Sequence, residues 1–262
     1  MSALLFDKYP EGLAVLSMNR PQTHNAFDDE LVADMTTALQ EFDADPSVRI
    51  VILSAHGPSF SAGADLHWME RMANCAADEN RRDAMRLATL MSTLNGLSKP
   101  TIARVHGPAY GGGVGLVACC DIAVASHDAT FALSEVKLGL IPAVISPYVI
   151  AAIGERMARR YFLTGERFDA VEAYRIGLVQ EITVDEASLD EVINRLVSVL
   201  LAASPAAQVE AKKLIAAVAG RPVDEAMVRD TAERIARVRG SAEASEGMSA
   251  FLAKRNPAWT KT

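Results

Sequence analysis

Apolar residues recur along this chain with two spacings, and the change between them divides the sequence. "ALLFDKY" and "LAVLSMN" read as strands on either side of Pro10-Glu11-Gly12, which predicts a hairpin. From Asp28 to Ala44 the period becomes helical: Leu31, Val32, Met35, Leu39 and Phe42 share one face, and Asp28, Asp29 and Glu30 sit at the electropositive N-terminal end. "RIVILSA" is a buried strand. A helix is expected from Asp65, and a longer one from about Ala77 to Leu97, stopped before Pro100. "TIARVHG", "DIAVAS" and "TFAL" are further strands, and "PAYGGGVGLVACC" starts as a glycine-rich loop and becomes helical. Strand, small-residue loop and helix thus alternate, which is α/β organisation. After about Leu200 three helical segments follow with no strand between them, opened by Ser204, Pro222 and Ser241 and closed in part by Gly220 and Gly240. The expected division is residues 1–199 as an α/β body and 200–262 as a helical unit packed on the body or on a neighbouring subunit.

Composition narrows the partners. The chain has 262 residues, half of them hydrophobic, enough for a substantial core. A net charge of -7 argues against nucleic acid or an anionic membrane as the main partner, yet leaves room for a small anionic ligand held by local donors. Cys75, Cys119 and Cys120 are too few for a disulfide framework or a zinc site and read as free thiols in a reducing compartment. The opening "MSALLFDKYP" lacks a signal-peptide pattern, so a cytoplasmic location is expected. The uncharged run from Leu138 to Gly154 contains Pro142 and Pro147 and is read as buried rather than membrane-spanning.

Candidate chemistry lies in two bland stretches, "SAGAD" at 61–65 and "YGGGVG" at 110–115. Each joins a strand to a helix through small residues, so each can present free N–H groups near a helix N-terminus, where negative charge is favoured. One donor from each stretch, pointing at one oxygen, makes an oxyanion hole. Ordinary tight packing accounts equally well for the glycines alone, and their spacing does not form a dinucleotide-binding fingerprint. Glu135 stands in the apolar run "FALSEVKLGLIP". It reads as a solvated or Lys137-paired carboxylate, or as a partly desolvated one suited to proton transfer.

In combination these motifs are more specific than any one of them. "SFSAGADL", "HGPAYGGGVGLVACCDIAVAS" and "FALSEVKLGLIP", in this order, resemble the enoyl-CoA hydratase/isomerase (crotonase) family, as do "LSMNRPQTHNAF", "RRYFLTGERFDAVEAYRIGLVQEI" and "FLAKRNPAW". The resemblance spans essentially the whole chain. It implies a crotonase-like ββα spiral with a C-terminal helical trimerisation region, and a homotrimer or homohexamer. It implies an acyl-CoA substrate, with no metal and no separate cofactor. The oxyanion-hole donors map to Ala64 and Gly112, and the acid/base to Glu135. Ala26, Ala62, Asp65, Leu66, His67, Gly111 and Gly115 map to the substrate and CoA path, with Asp65 also a candidate helix cap. Where hydratases of the family carry a first glutamate, this chain has Gly115, which is expected to leave room for a branched or carboxylated acyl group. A finer resemblance, to bacterial methylglutaconyl-CoA hydratases of leucine degradation, makes Lys137, His67 and Tyr110 candidates for holding a distal carboxylate. Two alternatives stay open: a double-bond isomerase, which needs one carboxylate, and a non-catalytic acyl-CoA- or RNA-binding member.

Overall fold

The computed structural model describes residues 2–260. The predicted hairpin is present: β1 (Leu4–Lys8) pairs antiparallel with β2 (Leu13–Met18), and Gly12 turns the chain with φ +105°. All later pairings in the large sheet are parallel. β2 lies against β3 (Ile50–Ala55), then β4 (Thr101–Val105), then β6 (Ile122–Ser126) and β9 (Glu181–Thr183). Every residue of β3 is buried, as expected for a parallel strand covered on both faces.

A second, shorter layer repeats the same order. β5 (Ala109–Tyr110) pairs parallel with β7 (Thr130–Ala132), which pairs antiparallel with β8 (Arg167–Asp169). Single bridges extend this layer backwards, Ser61 to Ala109 and Phe27 to Ala64. Successive turns of the chain therefore add a longer strand to one layer and a short strand or bridge to the other, which is a spiral. Helices close the turns: α1 (Asp29–Ala44), α2 (Leu66–Ala73), α3 (Ala77–Gly96), α4 (Gly112–Cys119), α5 (Ser146–Thr164), α6 (Ala170–Arg175) and α7 (Glu186–Ala202).

The α1 stripe predicted from sequence is the buried face, with Leu31, Val32, Met35, Leu39 and Phe42 all in the main core. Asp28 caps it, accepting the Leu31 N–H at 2.8 Å. A second core joins Ile50, Ile52, Ile102 and Val124 on the other face of the large sheet to Leu189, Ile193 and Val197 of α7. Beyond it come three helices with little buried surface of their own, α8 (Pro205–Val218), α9 (Glu225–Arg239) and α10 (Ala242–Leu252). Ser204, Asp224 and Ser241 cap them, so the second cap is Asp224 and not the predicted start at Pro222.

Two expectations need correction. The run from Leu138 is not buried throughout: Leu138, Leu140 and Ile141 are exposed, Ile141 to 73%. Leu138 ends a short 3-10 turn (Glu135–Leu138), Leu140 and Ile141 follow it, and all three line a cavity, so their apolar side chains border open space rather than the core. The sequence also suggested a Glu135–Lys137 pair. Lys137 instead packs beside Gly165, whose missing side chain would lie 3.1 Å from its Cε. Among the described residues no single helix is long and apolar enough to cross a membrane, and no group of three or more His, Cys, Asp or Glu side chains is placed to hold a metal ion.

Candidate active site

A cavity of about 460 Å³ opens where the second layer meets α2, α3 and α4. Its lining includes Ala62, Ala64, Leu66, Gly111, Gly112 and Glu135, six of the residues singled out from sequence, with Phe27, Trp68 and Ile145.

The hydrogen bonds of the 61–65 stretch can be accounted for donor by donor. Ser61 N–H donates to Pro108 O, Ala62 N–H to His24 O, Gly63 N–H to Ser61 Oγ and Asp65 N–H to Phe27 O. Ala64 is the exception, and the reason is geometric. In a parallel bridge one residue bonds the two neighbours of its partner. Phe27 bonds Gly63 O and Asp65 N–H, so the peptide groups of Ala64 itself turn the other way, toward the cavity it lines. The glycine loop repeats the arrangement. Gly111 N–H donates to Ala132 O at 2.8 Å, while Gly112, the first residue of α4, has its N–H among the orphan donors of a helix start. Among the described residues neither Ala64 N–H nor Gly112 N–H has an acceptor.

Glycine is required where these segments touch. Gly63 (φ +90°) and Gly111 (φ +50°) both lie in the region that side chains avoid, and a Cβ on Gly111 would sit 3.2 Å from Glu135 Oε1. Gly112 is held tightly for another reason: a Cβ there would come within 2.5 Å of the Phe27 ring. The Glu135 carboxylate thus lies against the loop that carries one of the two free donors. Its Oε2 is buried without a hydrogen-bond partner. Burial raises its pKa above the ordinary glutamate value, and a hydrogen bond from its own backbone N–H opposes this in part.

The remaining predicted residues divide clearly. Asp65 caps α2, its Oδ1 accepting from His67 N–H at 2.9 Å and Trp68 N–H at 3.3 Å, and it lies 3.5 Å from Arg20. Leu66 is 80% exposed at the rim. Ala26 is buried, and Ala26, His67, Lys137 and Tyr110 do not line the cavity. Tyr110 instead hydrogen-bonds Thr130 Oγ1 at 2.9 Å and receives Arg167 over its ring. Gly115 does not line the cavity, so the room expected at that position is not open to it. It is buried inside α4, and a Cβ there would meet Ile145 Cγ2 at 2.2 Å and Met91 Cε at 3.3 Å. The room left by the missing side chain is filled by Ile145.

One residue that matters was not singled out. Asn25 is fully buried and ties together the segments that carry Ala64. Its Oδ1 accepts from Arg20 N–H, its Nδ2 donates to His56 O and Ser59 O, and its carbonyl accepts from Ser61 Oγ. His24 and Asn25 both take left-handed φ, 52° and 53°. An asparagine in "HNAF" was a legible hint, since asparagine tolerates that region better than most residues.

The sequence and the fold match known proteins. A model of the enoyl-CoA hydratase/isomerase family matches residues 8–262. An enoyl-CoA hydratase structure from Shewanella pealeana is 43% identical, with a TM-score of 0.95, covering 98% of this chain and 96% of that one. A Legionella pneumophila structure assigned to the enoyl-CoA hydratase/isomerase (crotonase) group is 47% identical, with a TM-score of 0.92 and 99% of each chain covered. A crotonyl-CoA hydratase of Syntrophomonas wolfei is 32% identical over 247 residues, 94% of this chain and 93% of its own length. The chain belongs to the enoyl-CoA hydratase/isomerase family and has its crotonase-type α/β fold.

Proposed function

We propose that this protein hydrates 2-enoyl-CoA thioesters, with Ala64 N–H and Gly112 N–H as the oxyanion hole and Glu135 as a single acid/base. The observation that carries the reading is the pair of unpartnered N–H groups on two abutting loops, beside a carboxylate buried without a partner. The thioester oxygen accepts from both N–H groups, which withdraws electron density from Cβ. Water adds at Cβ, Glu135 takes its proton, and the carboxyl returns a proton to Cα. Loss of one oxyanion donor costs about 2.7–4 kcal/mol of transition-state stabilisation. The resident chemistry requires no cofactor, coenzyme A being part of the substrate.

The acyl group is better bounded by the lining than by motif resemblance. Among the described residues that line the cavity the ionisable side chain is Glu135, with no Lys, Arg, His or Tyr beside it. A distal carboxylate, as in 3-methylglutaconyl-CoA, would sit in an apolar cavity opposite another carboxylate, at a desolvation cost with no cation to offset it. An uncharged acyl group fits better. The assay is product mass: crotonyl-CoA and 3-methylglutaconyl-CoA are supplied separately, and a product one water heavier from crotonyl-CoA, lost in Glu135→Gln, supports the reading. A shifted double bond without added water, from a 3-enoyl thioester, supports the isomerase instead.

The same reading assigns the C-terminal helices to assembly as a trimer or a pair of trimers. Ile215, Val228, Ile235, Phe251 and Leu252 are exposed on α8, α9 and α10, an apolar set suited to burial against a second copy. Light scattering reads the mass directly, and a monomer at assay concentration would oppose this part of the reading.

A further inference from the structure

The α3 helix carries a buried carboxylate that the proposed chemistry does not use. Asp83 lies one turn before Leu87 and continues the stripe formed by Leu90, Met91 and Leu94. That face otherwise packs into the core, and Asp83 itself is only 8% exposed. An aspartate at a core-facing position is expensive unless something requires it. Burial raises its pKa, opposed in part by the Trp68 hydrogen bond and the charges of Arg86 and Arg71; among the described residues no cation forms a salt bridge with it, Arg71 being bound to Asp29 at 2.6 Å. Among the described residues its one hydrogen-bond partner is the Trp68 indole, whose Nε1–H donates to Asp83 Oδ1 at 3.2 Å.

That partner gives the aspartate a purpose. Trp68 is on α2, its side chain is nearly buried, and it lines the cavity beside Met69. Ala84 and Leu87, adjacent to Asp83 and one turn beyond it, line the same cavity from α3. The indole is thus a piece of cavity wall, and its one polar atom is turned away from the cavity onto α3. Without an acceptor there, the N–H would be left buried and unsatisfied, and the ring would gain by turning until it met water.

We propose that Asp83 is a positioning residue for acyl-chain selection: by accepting the Trp68 indole proton it fixes the ring as a wall of the cavity and so limits the length of acyl chain admitted. This rests on the acyl-CoA reading of the site. Asp83 itself has no contact with the reacting atoms. An asparagine at 83 keeps a carbonyl acceptor at the same place, whereas a leucine keeps the branching pattern and extends the apolar stripe but removes the acceptor.

The test measures equilibrium binding of saturated thioesters, which needs no turnover. Kd values for butyryl-CoA and octanoyl-CoA are measured by calorimetry on the full-length protein and on Asp83→Leu, Asp83→Asn, Trp68→Phe and the Asp83→Leu/Trp68→Phe double variant. In the wild type the short chain is preferred. Asp83→Leu shifts the ratio of the two Kd values about tenfold toward the long chain, the size expected for one net hydrogen bond. Asp83→Asn stays within about twofold of the wild type, and the Asp83→Leu shift disappears in the Trp68→Phe background, because coupled residues are non-additive. An unchanged ratio in Asp83→Leu overturns the proposal, as does a shift that persists without the indole N–H. If Asp83→Leu does not fold, Asp83→Asn against Trp68→Phe still decides: a ratio altered by Asn as strongly as by Phe refutes the acceptor role. Failure of the wild type to bind either thioester would refute the acyl-CoA reading itself, and this inference with it, whereas binding with no chain-length shift sinks only the inference.

Discussion

A methyl group added at residue 115 tests whether Ile145 has taken over the space beside α4. Two effects compete in Gly115→Ala. Replacing an interior helical glycine with alanine stabilises by about 1 kcal/mol when nothing else changes. Here the new Cβ would fall 2.2 Å from Ile145 Cγ2 and 2.9 Å from Ile145 Cβ, well inside contact distance. Overpacking of this kind costs about 1–3 kcal/mol. The second contact involves an atom close to the backbone, so a rotamer change of Ile145 does not relieve it, and the upper part of that range applies. The net expectation is destabilisation by about 1–2 kcal/mol, a fall in midpoint of roughly 2–8 °C for a chain of this size. Thermal unfolding followed by circular dichroism at fixed protein concentration reads this. Ile145→Ala alone costs about 2–5 kcal/mol by leaving a cavity. In the double variant the 2.2 Å clash is gone and the added methyl occupies part of that cavity, so the two losses fall short of their sum by about 1 kcal/mol or more. A Gly115→Ala protein more stable than the parent, or strictly additive losses, would show that Ile145 does not fill this space.

Other consequences are as direct. Glu135→Gln lowers turnover by about 10²–10⁴-fold while leaving acyl-CoA Kd within a few-fold, because proton transfer is lost and the shape is kept; equal loss of both would make Glu135 structural. The same variant separates stability from pH. Glu135 has a folded pKa raised by burial, so its contribution to stability is complete below its unfolded pKa and is lost as pH rises through the folded value. The midpoint of Glu135→Gln minus that of the parent therefore grows from acid toward neutral pH, and a pH-independent difference contradicts the burial argument. Gly112→Ala places a Cβ 2.5 Å from the Phe27 ring and displaces a donor, so kcat falls at least about tenfold, with partial recovery in Gly112→Ala/Phe27→Leu. Asp65→Ala removes the α2 cap and costs about 1 kcal/mol, measured by denaturant unfolding.

Much of this architecture is legible in the chain because local signals and tertiary demands agree. The α1 stripe, the mostly apolar β3 and the glycine turn after β5 each point to the observed element. The three acidic or hydroxyl caps of the last helices do so as well, although Pro222 drew attention two residues before the true cap. The candidate site was legible wherever a motif specifies backbone: Ala64, Gly112 and Glu135 are brought to one cavity as their segments suggested. What escaped depends on contacts between distant segments. Gly115 reads as empty space in one dimension, and only packing reveals that Ile145, thirty positions later, occupies it. Leu138, Leu140 and Ile141 read as core because composition does not distinguish a buried face from a cavity rim. Asn25 carries no distinctive chemistry, and its importance lies in four hydrogen bonds that reach residues 20, 56, 59 and 61.

The central claim is that two backbone N–H groups and one glutamate hydrate an enoyl thioester. The most direct measurement is mass spectrometry of the product formed from crotonyl-CoA in ¹⁸O-labelled water, with the wild type and Glu135→Gln side by side. The account predicts a product heavier by one labelled water, formed by the wild type and reduced at least about 100-fold in the variant. An unlabelled product of unchanged mass, or equal labelling by both proteins, would contradict it.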